Sequence, residues 1–403
     1  MLRLRELCEL ITKGTTPSTI GAEITSQGVI YIRSDALIQG RHLDRRCFTY
    51  IDENTHEQLK RSQIHENDIL FSMAGALLGK TALVTPQDVP ANTNQAVAII
   101  RVCHEIVDYS YVYYYLSQKG IQQYVRSLNA QSAQPNVNLQ QIGDIEINIP
   151  EDKEMQIRVS SILSSYDDKI ENNIRHIDTL EKYIQNLYQN WFSYYNYPNA
   201  TGEMQDGIPV GWTNSNVFDN VAEIREKNKN NLGYPVLSVV KEGEFKPSDD
   251  VFTKQVYSKE TTNYKIVRRN QVGYNPARAN IGSIAMLTDF DIGLVSPIYV
   301  VFAMQKTITP TYFYYYMKQP MFIEGIKHHA IGTTRQNFPF EAFKMFPMVV
   351  PPIELQARFE EIAIPIERKI AKLKEENTVL AEIRDTLLPK LMSGVLPVEE
   401  GED

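Results

Sequence analysis

The sequence predicts an α+β protein built twice over, as globular domain, long helix, globular domain and long helix. The two helices are expected to pair as an antiparallel coiled coil with pseudo-two-fold symmetry. Three observations predict this: segments recur at a shift near two hundred residues, strand-like alternation marks the globular stretches, and two later stretches keep apolar spacing of 3 and 4. The boundaries that follow are 1–150 for the first domain, 151–195 for the central helix, 196–350 for the second domain and 351–396 for the C-terminal helix, with 397–403 as an acidic tail.

In the first domain the stretch FSMAGALLGKTALV resembles a phosphate-binding loop, G-x-x-x-x-G-K-[ST], but Ala74 stands where the first glycine belongs. That glycine lets the backbone aim successive N–H groups at phosphate, and a helix must follow the lysine. Here KTALVTP alternates apolar and polar residues and stops at Pro86, so a strand is expected and the nucleotide loop is set aside. The repeat supports this. HENDILFS (65–72) aligns with RRNQVGYN (268–275), and the same shift of 203 places Gly79 on Gly282 and replaces Lys80 by Ser283. NQAVAII (94–100) answers SPIYVVF (296–302), and YVYYYLSQKGI (111–121) answers TYFYYYMKQPM (311–321). The tyrosine runs in the last pair have bulky residues at helical spacing and read as helix core rather than a stacking platform.

The central helix carries an apolar stripe at Tyr166, Ile170, Ile177, Leu180, Ile184, Leu187 and Trp191, with Asn173 in the seam. The C-terminal helix repeats it at Ile366, Ile370, Leu373, Leu380, Leu387 and Leu391, with Asn377 and Arg384 in the seam. Sustained stripes of this kind are coiled-coil seams, in which a polar residue fixes register. SSYDD (164–168) reads as a capping signal and Pro365 as a first-turn proline, so a short helix is expected to break into each long one of ~27 residues, about 40 Å. Asp167, Asp168 and Lys169 would then lie on a cap. Gly394 and Pro397 close the second helix. Because the second domain begins soon after Trp191, the helices must run antiparallel.

A net charge of -8 and a pI near 5.5 argue against a lone nucleic-acid binder, although they do not exclude local basic patches. Cys8, Cys47 and Cys103 show neither metal nor disulfide spacing, which fits reducing cytosol. MLRLRELCEL is no signal peptide, and no apolar run reaches the ~18 residues of a membrane span, so a soluble cytoplasmic protein is expected. Catalytic signatures are missing. YNPARAN (274–280) has Ala277 and Arg278 where an amino-methyltransferase loop needs proline and an aromatic, and the histidines lack ligand spacing.

The globular halves instead offer amides and arginines between strands. NAQSAQPNVNLQQIG (129–143) and HHAIGTTRQNFPFEAF (328–343) occupy equivalent places, and Asn and Gln can pair bidentately with adenine while Arg forks onto guanine or phosphate. The candidate DNA-contacting set is Arg33, Ser34, Lys80, Asn94, Gln95, Gln134 and Asn136 in the first domain. In the second it is Asn275, Arg278, Asn280, Ser283, Arg335, Gln336 and Asn337. The plainer reading of each is turn or cap formation in a solvated loop.

Taken with the repeated order of domain and helix, NDILFSMAGALLGKTALV, NQAVAIIR, the helix starts IPEDKEMQ and VPPIELQ, and the closing EIRDTLLPKLMSGVL resemble specificity subunits of type I restriction-modification systems over nearly the whole chain. The resemblance implies two target-recognition domains, each reading one half of a split asymmetric site in double-stranded DNA. It implies helices that set their separation and dock two methyltransferase subunits, with restriction subunits joining. It also implies no catalysis and no cofactor in this chain, S-adenosylmethionine, ATP and magnesium belonging to the partners. The chain departs from the commoner pattern at Met73-Ala74, where an arginine often follows the serine, and at Pro365. Two other readings are a two-headed scaffold that binds no DNA and an enzyme using the lysine loop. DNA pull-down separates the first, and nucleotide binding by the isolated chain would support the second.

Overall fold

Strand Val97–Val102 opens on a continuous apolar run, residues 97–100, because it is covered on both faces, the pattern of a strand at the centre of a layered domain. It lies second in an antiparallel sheet ordered Cys8–Lys13, Val97–Val102, Ile69–Ser72 and Thr81–Leu83, with Leu70 opposite Ile99 and Phe71 opposite Ala98. Ala98 and Ile100 face Tyr111, Leu116 and Val125 of two short helices, Tyr109–Ser117 and Lys119–Ser127. Val97 and Ile99 face a second sheet, in which Val29–Ile32 runs parallel to Ala91–Thr93.

The computed structural model describes residues 1–37, 40–128, 135–251, 260–330 and 337–398. They fall into two units: Met1–Ile177 with Lys372–Asp403, and Asp178–Ala371. The second unit repeats the first sheet strand for strand, as Val221–Ile224, Val300–Met304, Val272–Tyr274 and Ile284–Met286. The turn before the third strand is repeated too, with Asn67 and Asn270 both at φ 66°. Two helices again cover one face, Pro310–Met317 and Pro320–His329. The tyrosine runs are core, as expected: Tyr113, Tyr114, Tyr315 and Tyr316 are all buried.

Each unit ties its helical layer to a long helix through one buried glutamine. Gln156 accepts from the Asp108 N–H at 2.9 Å and donates to the Pro150 carbonyl at 2.8 Å. Gln356 accepts from the Thr309 N–H at 2.8 Å and donates to the Pro351 carbonyl at 2.9 Å. Both side chains are buried. This is why each helix opens on proline followed by glutamine.

The long helices correct the sequence reading in one respect. They span Lys153–Tyr188 and Ile353–Met392 without a break, so they measure about 54 and 60 Å rather than 40. Ser164 and Ser165 return their hydroxyls to the carbonyls of Ser161 and Ile162, which keeps them inside the helix instead of capping it. Pro365 likewise sits mid-helix. Asp167 and Asp168 are therefore not cap residues: Asp167 takes the buried seam position expected of Tyr166. Within the first unit the two helices run antiparallel, Asn173 lying against Asn377 and Asp167 against Arg384. In the second unit the seam passes through Tyr188 rather than Leu187, and Tyr188, Trp191 and Phe192 pack on Phe359. Among the described residues no helix is long and apolar enough to cross a membrane.

Candidate nucleic-acid interface

Sheet register brings several loops of the first unit to one end. Ile32 pairs with Thr93 on parallel strands, so Arg33 and Asn94 leave side by side. Ser72 pairs with Val97 on antiparallel strands, so the loop after Ser72 lies next to the turn before Val97. Met73 donates its N–H to the Ala96 carbonyl at 2.8 Å, which joins that loop to the Asn94–Ala96 turn. The segment after residue 134 joins the same loop: Gly75 donates to Pro135 at 3.1 Å, Val137 donates to Met73 at 2.9 Å, and Ala74 bridges Asn136.

The loop itself is closed by Ser72 N–H on the Lys80 carbonyl at 2.8 Å and by Gly79 N–H on the Ser72 carbonyl at 2.9 Å. Strand Thr81–Leu83 follows at once, where a phosphate-binding loop would need a helix. The second unit builds the same loop. Asn275 donates to the Ser283 carbonyl at 3.1 Å, and Phe338 donates to the Pro276 carbonyl at 2.9 Å, the counterpart of Val137 on Met73. Gly282 is required at its end: φ is 97°, and an added Cβ would lie 2.2 Å from the Lys241 carbonyl oxygen.

The candidate residues differ in what the structure leaves them free to do. Arg278 is exposed at the loop tip; its backbone bonds within the turn, and its guanidinium makes no hydrogen bond or ion pair among the described residues. Asn280 follows it in a short turn. Asn136 and Asn337 are exposed at the edge of the two loops. Asn94 and Asn275 each accept a backbone N–H two residues on, from Ala96 at 3.2 Å and Ala277 at 3.1 Å, so their side-chain oxygens shape turns. Gln95 is exposed and bonded to Thr16. Arg33 is held by Asp35 at 2.6 Å, and Ser34 opens the short turn between them. Gln134, Arg335 and Gln336 lie outside the described residues. Further along the amide-rich segment, Asn138 and Gln141 form a capping box, the plainer reading of those residues.

Two placements differ from the sequence expectation. Ser283 is buried and donates its hydroxyl to the Val239 carbonyl at 2.9 Å, so it anchors the loop from within. Lys80 faces a cleft of about 250 Å³ with Tyr114, Asp167, Arg384 and Asp385, on the helix side of its domain.

That cleft holds a charged cluster that no sequence motif marks. Asp167 accepts from the Tyr114 hydroxyl at 2.6 Å and pairs with the Arg384 guanidinium, which also holds Asp385 at 2.8 Å. Burial alone would lower the Arg384 pKa, but Asp167 and Asp385 reverse this and hold it above its usual value. Burial first, and then the Asp167 carboxylate, pushes the Tyr114 hydroxyl well up. In the second unit Glu367 takes the place of Asp167, against Tyr315, with Lys318 as the nearby cation. The sequence signal is Arg384 in an apolar seam; its partner Asp167 sits in a stretch, SSYDD, that has the pattern of a helix cap.

Residues 1–182 match the family described as type I restriction modification DNA specificity domain. The specificity subunit of type I restriction enzyme MjaIX from Methanocaldococcus jannaschii is 26% identical over 330 residues, covering 77% of this chain and 74% of the relative. That of the HindI enzyme from Haemophilus influenzae is 25% identical over 336 residues, covering 64% and 71%. The crystal structure of a type I restriction-modification system S subunit from M. genitalium shares the fold, with a TM-score of 0.57 at 16% identity over 96% of this chain and 94% of that one. Repeated sheets, long paired helices and these likenesses agree: the chain is similar to the specificity subunits of type I restriction-modification systems, and its first 182 residues match their DNA specificity domain.

Proposed function

We propose that this chain reads a bipartite, asymmetric sequence in double-stranded DNA, one half-site for each unit. Its long helices dock two methyltransferase subunits, and restriction subunits join the assembly. The observation that carries this reading is the duplicated loop: equivalent backbone bonds, Ser72 to Lys80 and Asn275 to Ser283, close it in both units, while its tip residues differ, Gly75 and a buried Leu78 in one and an exposed Arg278 and Ile281 in the other. A common frame with different tips is what two independent base readers need, since base edges in the major groove are told apart by side-chain donors, acceptors and apolar groups. The chain contributes sequence choice and no catalysis. S-adenosylmethionine, ATP and magnesium act in the partner subunits, which also share phosphate affinity and so reconcile DNA binding with a net charge of -8.

Methylome sequencing of a host with and without this gene tests the reading. The expected result is one split motif that loses methylation when the gene is removed. An unchanged methylome, together with failure of the chain and its methyltransferase subunits to retain DNA in a pull-down, would favour the scaffold that binds none.

A further inference from the structure

Two isoleucines of the second unit stand in water at the end where its duplicated loop lies. Ile281, in the short turn of the loop, is 55% exposed, and Ile298, in the turn before Val300–Met304, is 61% exposed. Both border one cleft of about 590 Å³ together with Asn275 and Arg278. The fold does not require this exposure. Matching the loop closures, Ser72 on Lys80 and Asn275 on Ser283, sets Leu78 in the place of Ile281, and Leu78 is 1% exposed. Matching the strand registers, Phe71 with Ala98 and Tyr274 with Val300, sets Ala96 in the place of Ile298. The first unit therefore keeps this rim small or buried, and the second turns two apolar side chains outward.

Single exposed isoleucines are ordinary on protein surfaces. Two β-branched side chains, stiff at χ1, on the same rim as an unpaired guanidinium form a surface with one apolar and one hydrogen-bonding part. In the major groove the apolar group on a base edge is the 5-methyl of thymine, and it is recognised by apolar contact. We propose that the second unit selects thymine in its half-site through Ile281 and Ile298, beside a hydrogen-bonding contact from Arg278. This rests on the DNA-reading function proposed above and adds a base to it.

The test uses the assembled complex with its methyltransferase subunits and duplexes carrying the motif found by methylome sequencing. Each thymine is replaced in turn by uracil, which removes only the methyl group. Exchange of residues 205–345 with those of a relative assigns the half-site read by the second unit. The expected result is a loss of affinity of about fourfold at one or more thymines of that half-site, the value of one buried methyl group. The loss should be absent in Ile281→Ala or Ile298→Ala, whose exposed positions leave the fold intact. Tolerance of every uracil by the unmodified complex overturns the proposal, as does a half-site without thymine or an equal penalty in both variants. A complex that retains no specific duplex at all overturns the DNA-reading function instead.

Discussion

Arg278 has its guanidinium in solvent beside Asn275 on the rim of a cleft, the placement that lets a rigid fork meet a base edge. Arg278→Ala is expected to cost about 1–3 kcal/mol at one base pair of one half-site and to relax selection there, measured by binding across base-substituted duplexes. A uniform loss across all sequences would make it a phosphate contact. Gln356 illustrates the opposite kind of residue: it is 0% exposed and makes three hydrogen bonds, to Thr309, Thr307 and Pro351. Gln356→Ala strands those backbone groups in the interior and should lower stability by about 1–3 kcal/mol, read by thermal unfolding. The sequence announced this glutamine as a motif without saying what it holds. Ser283 was misjudged for a related reason, since its partner Val239 is 44 residues away and only the fold brings them together.

At the level of the element, apolar spacing was enough to find both long helices and most of their seam. It failed at positions where a charge does the work of an apolar side chain. Asp167 is 4% exposed and is balanced by Arg384, so Arg384→Met should cost about 3 kcal/mol by taking the guanidinium from a buried carboxylate. Adding Asp167→Asn should recover part of the loss, measured as a double-mutant cycle in thermal unfolding. Among the described residues no arginine pairs with Glu367. Burial holds its carboxyl above the usual range, opposed in part by the Tyr315 hydroxyl and Lys318. A carboxyl raised on folding adds stability below its unfolded pKa and loses it as pH rises through the raised value, so near neutrality the charged form opposes folding. Glu367→Gln should therefore raise the melting temperature at neutral pH, with the gain vanishing near pH ~4. The seam also carries a spacing prediction. Four residues inserted after Ile177 and four after Lys372 add about 6 Å and roughly one turn to both helices. With a DNA rise of 3.4 Å per base pair, the unread gap in the methylated motif should grow by roughly one or two base pairs while both half-sites persist. An unchanged gap in an active variant would remove the spacer role.

For the whole molecule, the repeat was legible because it rests on sequence order, which is read directly. What escaped was the extent of each helix, since Pro365 is a local stop signal that tertiary packing overrides within Ile353–Met392. Exchange of residues 205–345 with a relative's should alter one half-site of the methylated motif only; alteration of both would show that the units do not read independently. The division of the chain has a further consequence, in time rather than in space. The second unit is one continuous stretch, Asp178–Ala371, whereas the first joins Met1–Ile177 to Lys372–Asp403. Its core includes Leu388, Leu391 and Met392 packed among Leu4, Tyr111 and Val159. On the ribosome, where chains emerge at about 5–20 residues per second, the unit made first is thus completed last. Until those final turns arrive its apolar surface waits in the open, so nascent chains halted before Lys372 should be cut by protease within the first unit while the second resists.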